Sequence, residues 1–229
     1  MFLVCLSIDC DGEDYSDIIK EYRRRGLHIR VINATENGGP GAARQRVIDT
    51  TQCEFLIFMD SDDMLMPRAV EILTRGIRNN FNIIRSSFIR EQTGKEDEII
   101  PSNVGTITWF HGKIYRVKYL KEKNIRFLPG LRTDEDAYFN IVAWNSTEAR
   151  GELEEVTYIW RDNKNSLTRS KSTKDYFLDT YINYIYSQIE GIKKIYELNQ
   201  EISASLLAQT LLNIYYYYMK ARFYKVPEE

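Results

Sequence analysis

The chain is poor in the features that mark secreted, membrane-spanning or nucleotide-fingerprint proteins. Its 229 residues include three cysteines, Cys5, Cys10 and Cys53, an odd number with no CxxC pair. That argues against a disulfide framework and for reduced thiols in a cytoplasmic protein. No apolar run nears the roughly 18 residues that span a bilayer, so no transmembrane segment is expected. Met1 to Ile8 is apolar but lacks a basic leader and a small-residue cleavage site, so it reads as a strand and not a signal. Lysine and arginine number 31 against 33 acids, for a net charge of −2, and no global basic field favours a nucleic-acid partner. There is no Walker A loop, no GxGxxG fingerprint, no internal repeat and no low-complexity linker. The acidic turn Asp9 to Asp14 is not an EF-hand, because its glycine comes too early and no glutamate closes a twelve-residue loop.

What remains is the composition of an ordinary globular protein, 43% hydrophobic and 28% charged. The chain is organised around Glu54 to Met66, EFLIFMDSDDMLM. Phe55 to Met59 are continuously apolar, as in a strand covered on both faces of a mostly parallel sheet. The run ends in Asp60-Ser61-Asp62-Asp63, three carboxylates in four residues. At the carboxyl end of a strand this is where open α/β sheets bind ligands, and clustered carboxylates are commonly held by a hard divalent cation. An Asx turn, an N-cap for the helix from Pro67, and plain solvated charge are the competing readings.

Elsewhere strand and helix alternate. Phe2 to Ile8 is a strand, Ser16 to Arg25 a helix stopped by Gly26, and Ile29 to Ile32 a strand. Asn33 to Asp49, NATENGGPGAARQRVID, predicts a turn at Asn37-Gly38-Gly39 and a helix opened by Pro40. Gly41, Ala42 and Ala43 keep that helix slim where it approaches something closely, and Arg44, helped by Arg46, points to a nucleotide or a carboxylate partner. The tight-loop, well-packed-helix reading stays open beside it. Pro67 to Arg78 and Val117 to Lys123 are expected helices, Phe81 to Ile89 and Val156 to Trp160 expected strands, and Thr106 to Phe110 a short one. Glu91 to Pro101 and Arg161 to Lys174 read as loops.

In Arg132-Thr133-Asp134-Glu135-Asp136, Thr133 is placed to cap a helix with Asp136 in its first turn. Asp136 is the candidate general base, against the alternative that acids are simply common at helix N-termini. From Asp175 two helices follow, broken near Leu198 to Gln200. Their apolar stripe and the run Tyr215 to Tyr218 suit packing on the parent domain or self-association into a homo-oligomer. The expected division is residues 1–170 as an α/β domain and 171–229 as a C-terminal helical hairpin.

Taken together, the acidic turn at Asp9 to Asp14, NGGPGAAR, FMDSDD and the pair HGKIYR with EDAYF resemble the inverting GT-A family 2 nucleotide-sugar glycosyltransferases over residues 3 to about 165. The resemblance implies a GT-A fold, a Rossmann-like and mostly parallel central sheet with flanking helices, here with a C-terminal helical appendage. It implies a UDP-sugar donor, a saccharide or other hydroxyl acceptor in polysaccharide or glycoconjugate synthesis, and Mn2+ or Mg2+. On the family's motifs, Asp60 and Asp62 match the DxD positions for metal and donor, and Asp63 is able to share the metal role. Asp11 and Asp9 match the base-reading acid, and Arg44 the arginine of the family's N-x-G-x-x-x-A-R stretch. Trp109, His111 and Gly112 match the segment bordering the donor sugar. Asp136 matches the catalytic carboxylate, with Glu135 supporting; one residue apart on a helix is about 100° of rotation, so one of the two faces the sugar.

Two departures stand out. Family members normally begin with a further strand ending in Pro-x-Tyr-Asn or similar, and the abrupt start here suggests sequence upstream. No histidine follows His111 to complete a metal shell. A non-catalytic GT-A-like binding or scaffold module is the alternative function. A nucleotidyltransferase would carry a basic glycine-rich loop near its N-terminus, and none is seen.

Overall fold

Apolar runs and amphipathic stretches alternate along this chain, and in a computed structural model they become two sheets with helices against them. The structure describes residues 2–78, 80–103, 107–131, 133–163 and 174–223. The elements in order are β1 (Val4–Ile8), α1 (Ser16–Arg24), β2 (Ile29–Asn33), α2 (Gly39–Thr50), β3 (Phe55–Leu56), β4 (Met64–Leu65), α3 (Ala69–Ile77), β5 (Ile83–Arg90), β6 (Glu98–Ile100), β7 (Lys113–Arg116), α4 (Val117–Glu122), α5 (Glu135–Asn145), β8 (Arg150–Trp160), α6 (Lys174–Asn199) and α7 (Ala204–Arg222).

β1 and β2 pair in parallel as a sheet of their own. The larger sheet runs β3-β7-β5-β8-β4, with β6 on the end of β5. The expected parallel character holds for β1–β2 and for β5–β8, whereas β3–β7, β5–β7, β5–β6 and β4–β8 are antiparallel. The sheet is therefore mixed. The apolar run after Glu54 also differs from its expectation: only Phe55 and Leu56 enter a ladder, against Arg116 and Tyr115 of β7. No ladder among the described residues joins β3 to β1. With a partner on one side only, the run leaves Met59 half exposed instead of buried on both faces.

Period-two alternation sets what covers the sheet. Ile84 and Ile114 point to one face, where Leu73 and Ile77 of α3 pack on them. Ile83 and Tyr115 point to the other, into an aromatic core with Phe58, Phe110, Phe127 and Phe139. Phe127 and Phe139 stack at 4.3 Å between centroids, and Phe110 meets Phe58 edge-on at 4.9 Å. This core lies beneath α5 and fixes where its first turn stands.

The sequence missed β4, β6 and β7, which are short or charged, and placed a strand at Thr106 to Phe110. There, residues 107–109 form a turn, and 104–106 lie outside the described residues. β8 begins at Arg150, six residues before the expected strand, and is bulged opposite Ser86 to Phe88. The two C-terminal helices are present, divided at Gln200, whose φ of 56° breaks the helix. The domain boundary expected at 170/171 lies outside the described residues. No described helix is long and apolar enough to cross a membrane.

Candidate active site

The loop after β3 is tied down by one tyrosine. The Tyr158 hydroxyl of β8 donates to Asp63 Oδ2 at 2.6 Å and accepts the Asp60 amide at 3.3 Å. Asp63 Oδ1 accepts the Arg161 amide at 2.9 Å. Asp63 is thus buried with both oxygens engaged, and burial lifts its pKa to about 6 against the pull of these two donors. It anchors the loop, with both oxygens turned to protein donors. Asp60 and Asp62 remain partly exposed; Asp62 accepts a hydrogen bond from Asn163 Nδ2 at 2.9 Å.

Asp60 is held by Arg44. The Arg44 guanidinium gives Nη2 to Asp60 and Nη1 to Glu135 Oε1, the latter at 2.6 Å, and lies 4.6 Å over the Phe110 ring. The carboxylate partner expected for Arg44 is therefore two carboxylates, from the loop after β3 and from the start of α5. The slimness of GPGAA has a reason as well: a Cβ on Gly41 would come within 3.1 Å of Glu135 Cγ and 3.4 Å of the Phe127 ring. A side chain there would crowd Glu135, the residue that Arg44 binds.

α5 opens at Asp134, which has a left-handed backbone at φ 59° and makes no side-chain cap. Thr133, the expected cap, instead accepts a hydrogen bond from Asn183 of α6 at 3.0 Å. Burial, then the neighbouring Glu135, push the Asp134 pKa up to about 7. Glu135 is buried; burial pulls its pKa up and Arg44 opposes that. Asp136 is partly exposed and accepts a hydrogen bond from the Ala137 amide at 2.8 Å. Enough protein still surrounds its carboxyl that burial, with Glu135 adding, raises its pKa well above the carboxylate range, while Arg44 works the other way. Neighbours on one helix turn thus have different surroundings: Glu135 is buried against Arg44, whereas Asp136 is partly exposed as a residue.

The segment preceding β7 stands differently from its expectation. His111 is buried, stacked on Tyr158 at 5.0 Å, with Nε2 3.9 Å from Asp63 Oδ2. Burial drops its pKa to about 3, so it is a neutral ring behind the aspartate loop. Gly112 has φ 64°, and a Cβ there would meet Ser86 Oγ at 2.5 Å; its carbonyl accepts the Ser86 amide at 2.8 Å. What the structure shows of it is close approach to β5. Trp109 is partly exposed, 5.2 Å from the Trp160 ring, and is the one of the three that keeps an accessible aromatic surface.

At the N-terminal sheet, Asp9 Oδ2 accepts the amides of Gly38 and Gly39 at 3.0 and 2.6 Å, and Oδ1 accepts Arg46 at 2.5 Å. Asp9 thus holds the glycine turn that starts α2, with both carboxylate oxygens engaged. Asp11 is exposed and accepts the Glu13 amide and the Tyr15 hydroxyl, the latter at 2.6 Å, bonds that lower its pKa.

Tyr158, Lys113 and Asn140 were not found from sequence. Lys113 is buried, its ammonium donating to the Trp109 carbonyl; burial, then Arg85, lower its pKa to about 7, while Asp136 raises it. Asn140 Nδ2 donates to the carbonyls of Thr108 and Asp136 at 2.8 and 2.9 Å, and its Oδ1 accepts Tyr115 at 2.6 Å. Its position one helical turn after Asp136 was the available signal.

Among the described residues no three His, Cys, Asp or Glu side chains converge as a ready metal cage. A divalent ion bound through one or two carboxylates and the substrate's own phosphates needs no such cage. Asp62, with Asp60 beside it, fits that donor set.

The sheet arrangement, the aspartate loop and the acidic start of α5 define a GT-A glycosyltransferase fold. The sequence model described as Glycosyl transferase family 2 matches residues 2–133, and the chain belongs to that family. It is 26% identical over 173 residues to an uncharacterized glycosyltransferase, EpsJ, of Bacillus subtilis, covering 66% of this chain and 50% of that protein. It is 25% identical over 195 residues to the poly(ribitol-phosphate) beta-N-acetylglucosaminyltransferase TarS of Staphylococcus aureus, covering 77% of this chain and 33% of that one. This chain thus spans no more than half the length of these relatives. In structure it resembles TarS residues 1–349 in complex with UDP-GlcNAc, at TM-score 0.71 and 20% identity over 95% of this chain and 63% of that one. A mannosyltransferase of Pyrobaculum calidifontis in complex with GDP-Man and Mn2+ aligns at TM-score 0.59 and 11% identity, over 98% of this chain and 67% of that one. At these identities the structural likeness shows the fold.

Proposed function

We propose that this chain is the donor-binding and catalytic portion of a metal-dependent, inverting glycosyltransferase, transferring a sugar from a UDP-sugar to a hydroxyl acceptor in polysaccharide or glycoconjugate synthesis. The observation that carries this reading is Arg44 bridging Asp60 and Glu135, because it sets the aspartate loop beside Asp136. UDP as the nucleotide is supported by the neighbour bound to UDP-GlcNAc.

Asp62 and Asp60 would hold Mn2+ or Mg2+ together with the donor diphosphate. That ion supplies positive charge where the leaving nucleoside diphosphate gains negative charge. Asp136 accepts the proton of the acceptor hydroxyl, whose oxygen attacks the anomeric carbon opposite the leaving group and inverts its configuration. A carboxyl whose pKa is lifted toward the working pH is suited to this. Arg44 positions both ends of the site, and Trp109 offers a ring face to a sugar. Asp11 is the residue left to read the base.

A second reading, a donor-binding or scaffold module without turnover, draws on Asp60 being already paired with Arg44. UDP titration with and without Mn2+, followed by donor turnover, separates the two. Metal-strengthened UDP binding that falls on Asp62→Asn, with turnover, supports the transferase. Metal-strengthened binding without turnover against any hydroxyl acceptor supports the module.

A further inference from the structure

Helix α7 is held by one narrow side. Leu206 packs on the main core, Thr210 is buried, and Tyr217 lies 4.0 Å from Tyr184 of α6. The rest of its circumference is apolar and open: Leu207, Leu211, Leu212, Tyr215, Tyr216 and Tyr218 are 43–64% exposed, and Phe223 after the helix is as open. Leu207, Leu211, Tyr215 and Tyr218 recur at spacings of four, four and three, which makes a continuous stripe along the helix. Contiguous apolar surface of this extent is rare on a monomer and marks a contact surface.

Charge and area indicate what covers it. Between Ala204 and Arg222 there is no acidic residue, and both basic residues, Lys220 and Arg222, lie in the last turn. The opposite end carries Glu201, exposed just after α6, while Glu197 before it is paired with Lys194 at 3.2 Å. One end of the stripe is thus basic and the other acidic, so it complements itself when turned head to tail, whereas a parallel pair would stack like charges. Half-exposed leucine and tyrosine side chains each leave on the order of 100 Å² in water. The four stripe residues on each of two copies supply about 800 Å², and Leu212, Tyr216 and Phe223 on the flank add to it toward the lower bound of roughly 1,200 Å² for stable interfaces. An anionic lipid surface suits the basic end but opposes Glu201, so it fits less well.

We propose that the open face of α7 is the interface of a homodimer in which two copies of the helix lie antiparallel, crossing near Leu211 and Tyr215. The inference is independent of the transferase reading, and α7 lies outside the residues matched by the family model.

The test is analytical ultracentrifugation of the 229-residue chain. The wild type sediments as a dimer at micromolar concentration, and L211E/Y215E, at exposed positions, sediments as a monomer with an unchanged circular dichroism spectrum. Arg222→Glu and Glu201→Arg each raise the dimer Kd on the order of tenfold, because each sets like charges together. Combined, the two reversals restore it. A monomeric wild type overturns the proposal, as does a dimer indifferent to L211E/Y215E or charge reversals whose combination fails to restore affinity. A monomer that pellets with phosphatidylglycerol vesicles, but not with phosphatidylcholine ones, assigns the face to a membrane instead.

Discussion

Arg44 and Glu135 are 91 residues apart in the chain and 2.6 Å apart in space. The same guanidinium holds Asp60 with its other nitrogen, so one side chain joins α2, the loop after β3 and the first turn of α5. Its own side chain is only 13% exposed and that of Glu135 8%, which takes the pair out of the weak-surface-bridge regime.

Removing Arg44 leaves Glu135 buried without its counter-charge. Arg44→Ala should lower unfolding stability by about 3–5 kcal/mol in urea titration, the usual consequence of breaking one side of a buried pair. Arg44→Lys keeps the charge but lacks the fork that engages two carboxylates, so it should recover only part of the stability. An unchanged unfolding midpoint in Arg44→Ala would show that the bridge holds nothing together.

Asp136→Asn keeps the shape of the side chain and removes its basicity. Donor turnover with acceptor should fall by roughly 10² to 10⁴, with little change in Mn2+-dependent UDP affinity. Glu135→Gln should show the complementary pattern, a loss of stability larger than its loss of rate. Because burial raises the Asp136 pKa, wild-type kcat should decline as pH falls and the carboxylate is protonated. Equal turnover by wild type and Asp136→Asn would assign the base elsewhere.

The ligand-free fold should be least favoured near neutral pH by its buried titrating groups. Asp134 is raised from 3.8 to about 7 in the folded state, so the folded protein holds the extra proton and this contribution is lost as pH rises through that window. Lys113 is lowered from 10.5 to about 7, so above that pH the unfolded chain holds the extra proton and stability rises. Melting temperatures measured across pH for wild type, Asp134→Asn and Lys113→Met check both signs. The falling limb should flatten in the first variant and the rising limb in the second.

Tyr158→Phe deletes one hydroxyl that serves two backbone and side-chain partners in the aspartate loop. Leaving Asp63 Oδ2 buried without its donor should cost about 1–3 kcal/mol, and the loosened loop should weaken UDP binding in the presence of Mn2+. Full retention of both properties would mean that Arg161 alone anchors the loop.

Sequence by itself determined the fold class and most elements, because α1 and α3 carry strong helical spacing, α2 and α5 carry helix-start signals at Pro40 and at Thr133 to Asp136, and β1, β2 and β5 are apolar runs. It also singled out Arg44, Asp60, Asp62, Glu135 and Asp136, since these residue types sit in dense and unusual local patterns. Tertiary structure decided which of the acids are tied to protein donors. Asp9 and Asp63 look like ligands in the sequence, yet amides and hydroxyls from distant segments turn them into loop anchors. Local sequence carries no record of those partners: Tyr158 lies 95 residues from Asp63, and Gly38 lies 29 from Asp9. The surroundings of His111 and Gly112 were hidden for the same reason, because their burial depends on β5 and β8. A carboxylate's chemistry follows from the charges and donors folded around it, and those are set only when the chain closes on itself.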